Sequence, residues 1–229
     1  TVARSTQPGV ETGVPLTYSA LSALYATSAS ATGSVSDYLR AMGGGTGAGN
    51  LSLAQDLISY LRGSKAKEAT TFVSRGDQNA MGTVVNSSPW LQDPSAAARF
   101  TDVDFSYFTA ADGSKSRPSY NDFVLNRVNR NKVLWVGSND GLLHGFEALT
   151  GTPLLSYVPS PLVSSLYDAL SVARTEALPL MDGSPYTGDV LVGSNASRAW
   201  RTYLFSSLGR GGRAVFALDV TDTGTSTTS

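Results

Sequence analysis

The chain carries one histidine, His144, and no cysteine. Thiolate catalysis, disulfides, zinc–thiolate sites and metal sites built on several histidines are therefore excluded. A lone histidine can act as a general base when a carboxylate orients it and a nucleophile stands before it. No Gly-x-Ser-x-Gly elbow supplies that nucleophile, and no carboxylate near His144 in the chain reads as its partner. His144 shares a strand face with Leu142 and Phe146 in the pattern, so the expectation is a histidine hydrogen-bonded inside a sheet. Asp140 stands between Asn139 and Gly141. Asn-Asp-Gly is a hairpin-turn signature, with the Asp carboxylate bonding nearby amides. Asp182, Asp189 and Asp219 lie beside turns in strand-rich stretches and read as turn or cross-strand partners. Asp102 and Asp104 would point to one side of a strand, which is a weak calcium pattern, and no D-x-[DN]-x-[DN]-G loop occurs. No catalytic, cofactor-binding or metal-ligating residue is assigned from these patterns.

Two basic motifs remain. Gly209-Arg210-Gly211-Gly212-Arg213 opens a strand rather than a helix and lacks Lys-Ser/Thr, so it reads as a tight turn and not a phosphate cradle. Arg75-Gly76-Asp77 falls in Gly63 to Gln78, a polar stretch with only Phe72 and Val73 as large apolar residues. That composition predicts an exposed connection with both charged side chains more than half exposed, which makes Arg75, Gly76 and Asp77 a candidate receptor contact.

The 229 residues hold 17 Lys plus Arg against 18 Asp plus Glu, a net charge of −1, and only 15% charged residues. A near-neutral chain has no electrostatic footprint for nucleic acid. The apolar-looking stretch from Val14 to Ala26 is interrupted by Pro15, Thr17, Ser19 and Ser22 and is too short and polar to span a bilayer. The sequence opens at Thr1 with no Met and no leader pattern, so the expectation is a processed or trimmed end.

Elements follow from spacing. Residues 26–50 are dominated by Ala, Ser, Thr and Gly, which predicts a flexible connector over 1–50. Ser52 to Gln55 forms a capping box, Leu53, Leu57, Ile58 and Leu61 repeat at helical spacing, and Gly63 suits the stop, so a helix is expected over 52–62. Ser160 and Pro161 open a second expected helix over 161–172, with Leu162, Leu166 and Leu170 on one face. Beyond residue 130 short strands dominate: Val133–Val136, Leu142–Ala148, Leu154–Val158 and Val190–Val192. Two alternating runs follow, on Trp200, Thr202 and Leu204 and on Ala214, Phe216, Leu218 and Val220. Short strands joined by Gly-Asp turns suit a propeller, a sandwich or a barrel.

Five blocks in order carry a resemblance. Leu57–Gly63 resembles the helix, and Met81-Gly-Thr-Val-Val-Asn-Ser-Ser-Pro89 the opening strand, of the PilY family of type IV pilus tip-associated adhesin and biogenesis proteins. Val133–Gly151 resembles that family's opening propeller blade, Met181-Asp-Gly-Ser-Pro185 its next turn, and Gly209–Thr221 its GxGGRxVFALDVT strand. The family-motif turn residues are then Asn139, Asp140, Gly141, Asp182 and Gly183. Thr83 stands where the family usually carries Asp, and no His stands shortly before the Asp182 block, where several family members carry one.

The resemblance implies a mainly β fold. The expected architecture is a partial, quinoprotein-like β-propeller with a few short helices, preceded by the low-complexity connector. Residues 51–222 would be the N-terminal portion of the propeller domain and 223–229 a loop or truncation tail. The resemblance further implies an exported, non-enzymatic component of the pilus tip, at the bacterial surface or outer membrane and periplasmic in transit. Such a component would support pilus biogenesis, twitching motility and attachment. Its partners would be minor pilins and a host or abiotic surface, with no nucleic acid and no membrane insertion. No cofactor is expected in this segment, and calcium would belong to an acidic loop further downstream. The alternative is a pyrroloquinoline-quinone-type propeller dehydrogenase, because Val136–Gly151 also looks like one of its repeats and Phe216–Asp219 like a faint second.

Overall fold

The computed structural model describes residues 2–7, 10–21, 50–77, 79–93, 108–109, 115–116, 119–174, 176–193 and 198–224. The chain begins with an antiparallel hairpin, β1 (Val2–Gln7) and β2 (Val10–Val14). Leu16 and Leu21 follow and are buried in the main core. The connector expected over 1–50 is corrected at its start: residues 2–7 pair with residues 10–14, and the buried Leu16 and Leu21 anchor what comes next. Its Gly-rich remainder lies outside the described residues.

Helix α1 (Asn50–Leu61) begins two residues before the expected start, so Ser52 sits inside the first turn. Its apolar stripe of Ala54, Leu57, Ile58 and Leu61 faces the core. The helix stops where Gly63 adopts φ +101. The amides of Gly63 and Ser64 bond to the carbonyls of Tyr60 and Ser59, the paired bonds of a Schellman end.

No strand forms over Met81–Pro89, which corrects the expected opening strand: side chains and turns of other elements hold this segment, as described below. Pairing starts at β3 (Trp90–Gln92). A small ribbon, β4 (Phe108–Thr109) and β5 (Lys115–Ser116), precedes helix α2 (Tyr120–Leu125). Ser119 caps α2 by accepting from the Asp122 amide at 3.1 Å.

Three more strands complete the first sheet: β6 (Val133–Gly137), β7 (Leu143–Glu147) and β8 (Pro153–Tyr157). All neighbours are antiparallel, in the order β3-β6-β7-β8. Trp135 is buried and registers against Gly145. A Cβ on Gly145 would stand 2.5 Å from the Trp135 ring, so the glycine is what lets the indole lie flat on its neighbour. Phe146 lies on the adjacent strand as expected, but it is only half-buried and stacks 5.9 Å from His144 instead of filling the core.

The helix expected over 161–172 is two pieces: a 3-10 turn over Ser160–Ser165 and α3 (Leu166–Leu170). Pro159, not Ser160, holds the capping position, and no side chain caps it. Leu162, Leu166 and Leu170 are buried as their spacing predicts. The second sheet follows, with β9 (Tyr186–Val192), β10 (Ala199–Ser207) and β11 (Val215–Asp219) in the order β11-β10-β9. Trp200, Thr202, Leu204 and Ser206 point inward along β10, alternating with more exposed neighbours. The Gly209 motif is a short 3-10 turn leading to β11, in line with the turn reading.

Side chains tie the two sheets together. Gln92 accepts from the Trp135 indole at 2.8 Å and donates to the Val220 carbonyl at 3.1 Å. The Trp90 indole donates to Thr187 at 2.8 Å. Beyond β11 the chain does not run free. Asn131 donates from its amide to the Gly224 carbonyl and from its side chain to that of Thr223, so the tail expected from 223 is fastened at its root. Among the described residues the two sheets do not close into a ring, and the fold is mainly β with a few short helices, consistent with the expected partial propeller.

Candidate functional site

Two of the turn motifs singled out by the sequence converge on one strap, residues 81–89. Asp140 and Asp182, each followed by a glycine in its turn, clamp it at two points. At the first, the Asp140 carboxylate accepts from the Gly82 amide at 2.8 Å, and the Asn139 amide donates to the Thr83 carbonyl at 2.9 Å. At the second, Asp182 accepts from the Asn86 amide at 3.2 Å and from its side-chain amide at 2.8 Å. Buried Ser87 lies between the sheets, accepting from the Gly137 amide and donating to the Gly183 carbonyl. Gly183 has no room for a side chain, since a Cβ there would stand 2.1 Å from the Ser207 carbonyl oxygen. Asn139, Asp140, Asp182 and Gly183 are thus turn residues that also hold the strap, and Gly141, at φ +85 with its amide on the Ser138 carbonyl, closes the turn itself.

Asp140 does more than the turn requires. Besides the Gly82 amide it accepts from the Leu142 amide, the Ser138 hydroxyl and His144 Nε2, the last at 3.0 Å. Burial works against its charge, but the bonds from His144, Ser138 and Gly82 outweigh burial and hold the carboxyl below the usual range. On the other side of the imidazole, Nδ1 lies 3.0 Å from the Ser156 hydroxyl of β8. The sequence reading that no carboxylate orients His144 is therefore corrected. Asp140, four residues earlier in the turn, faces back onto the strand, and Ser156 is the direct cross-strand neighbour of His144. The hairpin register held this information, because His144 and Ser156 share a face once β7 and β8 pair. Sequence spacing alone did not show it.

The other carboxylates behave as read. Asp189 accepts from Tyr120 at 2.7 Å and from its cross-strand partner Thr202 at 2.7 Å. Asp219 accepts from the amide and hydroxyl of Thr221. Asp102 and Asp104 lie outside the described residues. Among the described residues, no cluster of three or more His, Asp or Glu could hold a metal ion.

The Arg75-Gly76-Asp77 expectation is overturned for Arg75. Its side chain is 2% exposed and its Nε donates to Glu68 at 2.7 Å. Its other nitrogens donate to the carbonyls of Ala80 and Ser64, and the guanidinium lies 3.9 Å over the Tyr60 ring. Gly76 and Asp77 are exposed. Two of the loop's charges, Arg75 and Glu68, pair with each other beneath the surface, and composition does not show which way Arg75 turns. A receptor cannot read the tripeptide through a guanidinium spent in this way.

A cavity of about 630 Å³ opens beside the His144–Ser156 pair. Leu16, Leu61, Phe146, Leu154 and Leu155 form its apolar wall, with Arg62 as the cation on it.

Comparison with known proteins gives consistent relatives. The Xylella fastidiosa (strain Temecula1 / ATCC 700964) type IV pilus biogenesis factor PilY1 homolog is 32% identical over 166 residues, covering 72% of this chain. The Pseudomonas aeruginosa (strain PAK) type IV pilus biogenesis factor PilY1 is 32% identical over 172 residues, covering 73% of this chain. In both cases the chain spans 13% of the relative's length. The crystal structure of the Pseudomonas aeruginosa PilY1 C-terminal domain is similar over 46% of this chain and 19% of its own, with 34% identity and a TM-score of 0.35. The family model of the PilY1 β-propeller domain matches residues 81–228, from the first residue of the strap to beyond the last strand, and the chain belongs to that family.

Proposed function

We propose that this chain is a scaffold within a type IV pilus tip protein, supporting pilus assembly, twitching motility and surface attachment through protein–protein contacts. The reading rests on relatives named as pilus biogenesis factors. The observation that carries it structurally is where the polar residues go. Asp182 is spent on holding the strap and Asp189 on joining α2 to the second sheet, which suits a body built to hold its shape under load. Minor pilins are the partners this role calls for, at an exported, surface-associated location.

The test is complementation. A bacterium lacking the protein should regain surface pili and twitching when the wild-type protein is supplied, and minor pilins should co-purify with it. The Asp182→Ala protein should restore less than the wild type. Normal piliation in the deletion strain, or a bound quinone absorbing in the purified protein, would overturn the scaffold reading.

A further inference from the structure

We propose that Ser156, His144 and Asp140 form a hydrolytic site for esters of short apolar acyl chains, an activity beyond the scaffold role and independent of it. The three side chains stand in one hydrogen-bonded line, with Asp140 to His144 Nε2 at 3.0 Å and His144 Nδ1 to Ser156 at 3.0 Å. This is the mutual geometry a serine nucleophile needs: a base in contact with the hydroxyl, and a carboxylate fixing the base.

The proton positions follow from the partners. An ionised carboxylate only accepts, so Asp140 takes the hydrogen of Nε2 and leaves Nδ1 as the lone pair facing Ser156. Asp140 is itself fixed, held by the Ser138 hydroxyl and the Gly82 and Leu142 amides, so the ring cannot turn without breaking several bonds. The serine is half-buried, and both it and His144 line the cavity of about 630 Å³. The apolar wall suits an acyl chain, and Arg62, whose guanidinium donates to the Leu16 carbonyl at 3.3 Å, adds a positive charge to the same cavity.

In the first step Ser156 Oγ bonds to the ester carbonyl carbon while its proton passes to His144 Nδ1. The carbon–alkoxide bond then breaks, and the same proton leaves with the alcohol. Water repeats the sequence on the acylated serine, giving the carboxylic acid and restoring the hydroxyl. No other co-reactant enters.

The experiment uses the purified protein with two probes, p-nitrophenyl butyrate and an alkyl fluorophosphonate. The expected result is a phosphonyl adduct that peptide mass spectrometry places on Ser156. Butyrate hydrolysis should also fall by about 10³-fold or more in Ser156→Ala and in His144→Gln. Localising the adduct needs only the wild-type protein, so a poorly folding variant does not blunt the test. A folded wild-type protein whose Ser156 stays unmodified overturns the proposal. So does hydrolysis that Ser156→Ala leaves unchanged, and either result returns the three residues to a purely structural strut.

Discussion

Arg75 and Glu68 form an ion pair of 2.7 Å whose side chains are 2% and 8% exposed. Removing Arg75 leaves Glu68 with Lys65, 3.3 Å away and more exposed, and takes away the bonds to the Ala80 and Ser64 carbonyls. Arg75→Ala should therefore lower unfolding free energy by about 2–3 kcal/mol in guanidinium denaturation, less than for a wholly uncompensated buried charge. Asp77→Glu, on the exposed side of the same tripeptide, should shift it by no more than about 0.5 kcal/mol. Cell adhesion of the Asp77→Glu protein should equal that of the wild type. Adhesion that falls while folding is intact would restore a receptor role to the loop.

Asp182 holds Asn86 by two bonds, one to the backbone and one to the side chain. Charge-assisted bonds lost at a part-buried site predict a cost of about 2–3 kcal/mol for Asp182→Ala. Amide exchange should locate the loss: protection at Asn86 should drop well before protection along β7. Uniform loss across the chain would show that Asp182 supports the whole fold instead of the strap.

Two glycines should respond to alanine to very different extents. Gly183→Ala drives a methyl to within 2.1 Å of a carbonyl oxygen in the chain opposite, so one backbone must shift, and poor expression or a large drop in melting temperature is expected. Gly151 meets nothing within 4 Å but has φ +73. Gly151→Ala should cost only the left-handed penalty of about 1–2 kcal/mol. Equal melting temperatures for the two variants would contradict this packing.

The Asp140 carboxyl is held below its ordinary range, despite burial, by His144, Ser138 and the Gly82 amide. A carboxyl with a depressed folded value contributes stability above its unfolded value, about 3.9, and loses it as pH falls through the folded one. Melting temperature should therefore be insensitive to this group near neutrality and fall steeply below about pH 4. Asp140→Asn should be less stable at neutral pH and show a shallower acid slope. Parallel slopes for the two proteins would mean that Asp140 is not the group being titrated.

Much of both sheets was legible because its signal is local. Strand β10 alternates inward and outward as Trp200, Thr202 and Leu204 predict, and the Asn139–Gly141 triplet makes the hairpin its chemistry demands. The strap was not legible as such. Met81–Pro89 has the composition of a strand, and what keeps it from pairing as one is a set of acceptors about 60 and 96 residues away. The Asp140–His144–Ser156 line was missed for the same reason: one contact crosses a turn and the other crosses between strands. Arg75 was misjudged because a polar loop can bury a charge whenever its own carboxylate lies within reach.

The three bonds from Asn86, Ser87 and Ser88 to Asp182, Gly183 and Ser184 each span 96 residues. Closing a loop of that length is an entropic debt settled only at the end, because each bond waits on a partner made much later. A chain emerging in order, amino terminus first, would complete the Val133–Tyr157 hairpins while the strap still hung open. The strap would lock only after the turn at Asp182 had emerged. Contacts of such high sequence separation slow folding. The Asn86–Ser88 end of the strap should therefore acquire its native bonds later than the Val133–Tyr157 hairpins and be among the first to release them, so this seam acts as a latch that shuts after the hairpin beneath it is made.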